Sequence, residues 1–222
     1  RGFDMLIHDV ALLRLHTVFG VDRAGLVGED GETHHGVFDI AYLGAVPGMT
    51  VLCPASFREA EDMLERALFA ESGPVAVRYP RGGEGEYREG GAQALECLCE
   101  GGDVCIAAYG TMINEALGAA RALEAEGISA RVLKIGRVLP LEAEPLLAAA
   151  RDCGRLVVAE EVCASGCIGG RILAAAGGQA GFKCRLLNLG EGIVGQGGTE
   201  KLRALAGIDA AGIAAAAKEL MA

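Results

Sequence analysis

The sequence is poor in positive charge: 20 Lys and Arg stand against 30 Asp and Glu, a formal net charge of −10. That argues against nucleic acid and anionic membrane as partners, because both are held through basic surface. A phosphorylated metabolite stays open, since two or three local arginines outweigh a distant negative surface at short range. Long apolar runs are missing as well. Gly, Arg or Glu interrupts each one, well short of the roughly 18 residues a membrane helix needs. No basic n-region followed by an apolar h-region opens the chain, so the expectation is a cytoplasmic protein. Repeated C-x2-C spacing is absent too. The eight cysteines include C-x-C at Cys97 and Cys99 and C-x3-C at Cys163 and Cys167, with no His at ligand distance, which does not make a zinc site. The chain is neither short nor secretory, so the thiols read as reduced; Cys53, Cys105 and Cys184 lie in apolar strand-like runs, as small hydrophobes. Histidine is scarce, four in 222 residues, and two of those four are adjacent.

What is present is ordinary globular material, 51% hydrophobic and 23% charged, with length for one large domain or two of usual size. Apolar groups at 3, 6, 7, 10 and 13 have helical spacing over 2–15,. HTVFGV reads as a strand, TVLC (50–53) as a second and VAVRY (75–79) as a third. Ser56 and Glu59 form a capping-box pattern that starts a helix running to about Ala70,. Strands alternating with helices predict a parallel sheet with ligands gathered at the strand C-termini. The Gly- and Glu-rich stretch from Gly82 to about Gly102 reads as linker. Beyond it come strands at 103–110, 128–135, 155–161 and 183–190, helices between them, and two closing helices from Thr199 and Asp209. The expected fold is α/β, in two three-layer units with mainly parallel sheets: a partial first unit over 1–90, a linker over 91–102 and a complete second unit over 103–222. Tyr79 is expected in the core, and His8 and Asp9 on a packed or solvated helix face.

Chemistry concentrates at three strand ends. HTVFGV leads into Asp22-Arg23, then Asp30 and His34-His35; VAVRY leads into Pro80-Arg81-Gly82; TVLC leads into Pro54-Ala55-Ser56, a helix N-cap. If these strands are neighbours, Arg23 and Arg81 converge from different loops, and two guanidiniums suit a phosphate. A nearby His moves protons at neutral pH. The same residues also admit a local Asp22–Arg23 ion pair and two solvent-exposed histidines. Spacing alone reaches only a phosphate-handling α/β protein.

The motifs go further. RGFDMLIHDVALLRL, VDRAGLVGEDGETHHGVFDIAYL and GPVAVRYPRG closely resemble the pyrimidine-binding domain of 1-deoxy-D-xylulose-5-phosphate synthases, without a gap over residues 1–83. The remainder resembles, more loosely, the transketolase C-terminal domain, through GTM and its helix, RVLPL, AEE and a closing GID. The resemblance implies a truncated thiamin-diphosphate-binding fold followed by a transketolase C-terminal-like domain. It also implies the family's reaction, in which pyruvate and D-glyceraldehyde 3-phosphate give 1-deoxy-D-xylulose 5-phosphate, an isoprenoid precursor, and CO2, with thiamine diphosphate and Mg2+. By resemblance Arg23 and Arg81 hold the acceptor's phosphate, Arg1 lines the same pocket, Asp30 faces the acceptor's hydroxyl and carbonyl end, and His34 is the catalytic proton carrier. His35 fills a variable position and is left outside catalysis.

The departures bear on what this chain does by itself. The family's Gly-Asp-Gly…Asn motif for diphosphate and Mg2+ is not in the 222 residues, nor is the glutamate that activates the cofactor. The family's R-F-x-K-P-L-D reads Arg137-Val138-Leu139-Pro140-Leu141-Glu142 here, its GG-x-GS becomes the stretch Ala164 to Gly170, and its late His-Gly is Gln196-Gly197. The expectation is a homodimer-forming C-terminal portion, inactive alone and served by a companion N-terminal portion, with a second unit that packs and supports the dimer. Two alternatives remain: a non-catalytic dimerisation module, or the C-terminal subunit of a split transketolase or oxoacid dehydrogenase. The THHG loop with YPRG favours the synthase, because an acceptor such as lipoamide has no use for the arginine pair.

Overall fold

The computed structural model describes residues 2–178 and 180–222. Helix α1 (Phe3–Met5) continues as π-helical turns over Leu6–Ala11, with His8 and Asp9 on its solvated face. Strand β1 (Thr17–Val21) follows, then the loop carrying the paired histidines, α2 (Asp39–Leu43), β2 (Thr50–Leu52), α3 (Phe57–Phe69) and β3 (Pro74–Arg78). Ser56 caps α3, its Oγ accepting the Glu59 N–H at 3.1 Å. Glu59 answers by accepting from the Ala55 N–H at 2.8 Å, one residue before the capping-box partner,.

The first sheet has the order β1-β3-β2-β7, and its three N-terminal strands are parallel. Its fourth strand, β7 (Arg137–Leu139), is antiparallel to β2 and comes from far along the chain. Register matters most for the site. Val21 pairs with Arg78 and Leu52 with Val77, so the three strands end level and their following loops start side by side. Parallel pairing therefore brings DRAG, YPRG and CPAS together.

The second sheet has the order β4-β6-β5-β8-β9. Here β5 (Val104–Ala108), β6 (Ala130–Ile135), β8 (Arg155–Ala159) and β9 (Lys183–Leu187) are parallel. Edge strand β4 (Leu95–Cys99) runs antiparallel to β6 and lies within the 91–102 stretch expected to be linker. Glycine and glutamate conceal it: LECLC is short and half-buried, and carries one apolar face. Helices α4 (Met112–Glu124) and α8 (Ala210–Met221) cover one face of this sheet. Helices α5 (Ala143–Cys153) and α6 (Ile168–Ala176) belong to the other side, and α7 (Thr199–Ala206) runs beside the loop after β1.

One apolar core, including Val51, Ala76, Cys105, Leu133, Leu146 and Val158, reaches across both sheets. Burial of this kind contributes about 25 cal/mol per Å2 of apolar surface, and here it is shared between the units. All eight cysteines are free thiols. Among the described residues no helix is long and apolar enough to cross a membrane.

Candidate phosphate-binding corner at the ends of β1 and β3

The loop from Asp22 to Gly36 is pinned before it carries any ligand. The Ala24 N–H donates to Tyr79 O at 3.0 Å, and Gly25 and Gly36 exchange two backbone bonds of 2.8 and 2.9 Å. A Cβ at Gly36 would fall onto the Arg23 carbonyl, so the two arms of the loop close only with glycine there. Arg78, at the end of β3, donates to Gly36 O at 3.1 Å and to Asp39 Oδ2 at 2.7 Å. Burial works against its charge, but Asp39 beside it holds the guanidinium well above its ordinary range,. Next to this pair, burial pushes the Cys53 thiol up to about 12. Arg78 is a structural cation and is not available to a ligand.

Arg81, three residues on, is exposed and pairs with Asp30 Oδ2. Arg23 approaches the same oxygen, Nε at 3.8 Å, and also binds Asp22 at 2.9 Å. Both sequence readings of Arg23 therefore hold at once: it makes a local ion pair and it converges with Arg81. Arg23 sits at φ 57, a left-handed conformation that costs a non-glycine residue about 1–2 kcal/mol. The pinned backbone on either side maintains it. Two exposed guanidiniums around one carboxylate oxygen make a corner in which a phosphate can replace Asp30.

The two histidines part company. His34 is exposed, with its Nδ1 3.0 Å from the Thr33 hydroxyl. His35 Nδ1 accepts from the Val27 N–H at 3.1 Å, so its Nε2 carries the proton and donates to Gly195 O at 3.2 Å,. His35 is thus a fastener between loops, whereas His34 stands exposed with a side-chain contact only to the neighbouring Thr33 among the described hydrogen bonds. Tyr79, expected in the core, is 38% exposed. β3 ends one residue earlier, and the ring lies over Gly20. Arg1 lies outside the described residues.

Three buried groups were given no role in the sequence, although Glu59 was read there as a cap and Glu160 and Glu161 stand within AEE. Lys134 on β6 is fully enclosed, with its ammonium on Glu59, 2.9 Å from the Tyr87 hydroxyl and 2.8 Å from Glu96. Burial pushes it down to about 8. It reads as one of two basic residues in an otherwise apolar run, ARVLKI, and Glu59 as a cap; their pairing across 75 positions has no local signal. Glu161, Arg203 and Glu115 form a second chain, with contacts of 2.6 and 3.2 Å. Arg203 and Glu161 line a cleft of about 720 Å3 that also takes in Arg81 and Thr111. Glu160 is the third. Its carboxylate accepts the Ile168 and Gly169 N–H groups, both at 2.7 Å, and the Tyr109 hydroxyl at 2.8 Å. The N-terminus of α6, where the glycine-rich stretch stands, is therefore already filled by the chain's own anion. Among the described residues no three His, Cys, Asp or Glu converge as a metal site.

Two family models match the chain. The profile described as the transketolase pyrimidine-binding domain matches residues 1–84, and that of the transketolase C-terminal domain matches 93–213. The chain is 44% identical to 1-deoxy-D-xylulose-5-phosphate synthase 1 of Geobacter sulfurreducens, covering 100% of this chain and 36% of the relative. It is also 44% identical to the 1-deoxy-D-xylulose-5-phosphate synthase of Thermomicrobium roseum, covering 96% and 35%. It thus spans about a third of the length of these curated relatives. Among solved structures it resembles a split-gene transketolase in an inactive β4 tetramer, with a TM-score of 0.86, 28% identity, and coverage of 100% of this chain and 72% of that one. A transketolase from Pichia stipitis shares the fold at TM-score 0.73 and 19% identity, over 95% of this chain and 31% of that one.

Proposed function

Because the chain belongs to the transketolase family, we propose that it works as the C-terminal part of a 1-deoxy-D-xylulose-5-phosphate synthase, condensing pyruvate with D-glyceraldehyde 3-phosphate with loss of CO2. The observation that carries this reading is the convergence of Arg23 and Arg81 on one carboxylate oxygen at level strand ends. Arg23 and Arg81 bind the acceptor's phosphate, which takes paired hydrogen bonds from a planar guanidinium. Asp30, released from the arginines, orients the acceptor's hydroxyl. His34 moves a proton at the acceptor's carbonyl oxygen. Arg1 keeps its place in the pocket by resemblance alone.

Thiamine diphosphate supplies the carbanion chemistry in the complete enzyme. The family's Gly-Asp-Gly…Asn motif for its diphosphate and Mg2+ is not among the 222 residues, and in this reading the chain alone neither holds the cofactor tightly nor turns over. The complete enzyme is cytoplasmic and homodimeric in this reading. The likeness to a split-gene transketolase supports a second form of it, in which a companion chain supplies the missing portion.

The test joins this chain to the N-terminal two-thirds of the Geobacter sulfurreducens relative, as a fusion and as a mixture. With thiamine diphosphate, Mg2+, pyruvate and glyceraldehyde 3-phosphate, the fusion is expected to release CO2 and form the deoxyxylulose phosphate, and Arg81→Ala in it raises KM for the phosphorylated acceptor. A folded but inert fusion beside an active parent enzyme would refute the assignment. CO2 release by the isolated chain would refute its inactivity.

A further inference from the structure

The second unit does more than pack. Five separate attachments tie it to the Asp22–Gly36 loop and the residue that follows. The Cys163 N–H donates to Val37 O at 2.9 Å. His35 donates to Gly195 O at 3.2 Å, and Gln196 Nε2 donates to Glu29 O at 2.9 Å, next to Asp30. Leu26 and Val37 form an apolar cluster with Leu202 of α7 and with Leu189 and Val194. Glu161, held by Arg203, lies against Gly25 so closely that a Cβ there would enter its carboxylate. Within its own unit the loop is fastened to the end of β3 and the residues just after it, through Arg78, Tyr79 O and the Arg81–Asp30 pair.

From this we infer that Gln196 and Glu161 are positioning residues, through which the second unit sets where Arg23 and Asp30 stand for a phosphorylated acceptor. Glu161 also lines the cleft that takes in Arg81, but its part in this inference is its contact with Gly25. Gln196 fixes the turn at Glu29-Asp30 from one side, while Glu161 fixes the Arg23-Ala24-Gly25 corner from the other. The two guanidiniums and Asp30 meet only when both ends of the loop are held, and misplacing a binding group by a fraction of an ångström weakens the grip without touching the group itself. The inference rests on the phosphate reading of this corner, so its test needs two independent readouts.

The 222-residue chain with Gln196→Ala serves as the main variant, because Gln196 is exposed and its loss spares the core. Amide hydrogen exchange at Gly25, Val27 and Gly36 is measured beside the affinity for inorganic phosphate, read by titration calorimetry. Exchange is expected to quicken, and phosphate affinity to fall, by about 3- to 10-fold, the effect of one hydrogen bond, with Tm nearly unchanged. Gln196→His, which keeps an N–H donor, restores both. Glu161→Gln, which lets Arg203 swing away, gives the same pattern from the other end of the loop. Unchanged loop exchange in Gln196→Ala would overturn the inference. Quickened exchange in a chain that binds no phosphate even as wild type would uphold the positioning and reject the phosphate reading instead.

Discussion

Arg78 and Arg81 stand three residues apart at the end of β3, yet they belong to different physical regimes. Arg78 has 6% of its side chain exposed and is paired with Asp39; Arg81 has 53% exposed and shares Asp30 with Arg23. A buried ion pair has been taken out of water at considerable cost, so removing one partner leaves an uncompensated charge. An exposed pair stands in water already and contributes at most about 1 kcal/mol. One arginine therefore maintains the corner, and the other can exchange its carboxylate for a ligand. Burial decides the role, not residue type.

The largest effect should come from breaking the buried member. Arg78→Ala is expected to lower stability by about 3–5 kcal/mol, the usual cost of stranding a buried partner, measured by urea unfolding. Replacing both partners, Arg78→Met with Asp39→Asn, should recover part of that loss. If Arg78→Ala cost no more than Arg81→Ala, the distinction would collapse.

Lys134 and Glu59 offer the same contrast between the two units. They link β6 to α3, and Lys134→Met alone should cost about 3 kcal/mol or somewhat more by the same reasoning, with recovery when Glu59→Gln is added. A double-mutant cycle in urea reads the coupling. Additivity of the two single changes would show that the pair does not interact in solution.

How much of this was legible follows the same divide. The exposed residues, Arg81 apart, lie within a short stretch, DRAGLVGEDGETHHG, whose glycines and charges mark it as a loop at a strand end, and the resemblance then implied a role for each. Strand alternation revealed most of both sheets. What stayed hidden depends on contacts between distant positions. β7 joins the first sheet although it follows β6 of the second, because a three-residue run with two apolar residues says nothing about which edge it completes. β4 was concealed in a Gly- and Glu-rich stretch. Glu59 and Lys134 meet across 75 positions, and Gln196 reaches Glu29 across 167. Gln196 was noted only as a departure from the family's histidine, and its contact gives that departure a physical meaning: an N–H donor is retained.

Smaller effects should follow at the exposed members. Arg81→Ala is expected to change stability by no more than about 0.5 kcal/mol, as surface substitutions usually do, while phosphate affinity falls about tenfold with the loss of a charge-assisted contact. Thermal unfolding and phosphate titration on the same sample separate the two. A matching loss in both would mean that Arg81 is structural, like Arg78.

Arg23 allows the finest separation, because its backbone and its side chain make opposite demands. At φ 57 the residue bears the left-handed conformation that glycine adopts without steric cost. Arg23→Ala and Arg23→Gly both remove the guanidinium, so both should weaken phosphate binding equally. Their stabilities should nonetheless differ. Alanine keeps the Cβ and its strain, whereas glycine relieves the strain but gives the unfolded chain more freedom. The first effect is about 1–2 kcal/mol and the second about 0.5–1, so Arg23→Gly should be the more stable by up to about 1.5 kcal/mol. Equal stability would mean that the corner relaxes out of the left-handed region once the arginine is gone, and that the ion pairs to Asp22 and Asp30 hold the backbone there. A lead for glycine would assign that hold to the bonds from Tyr79 and Gly36.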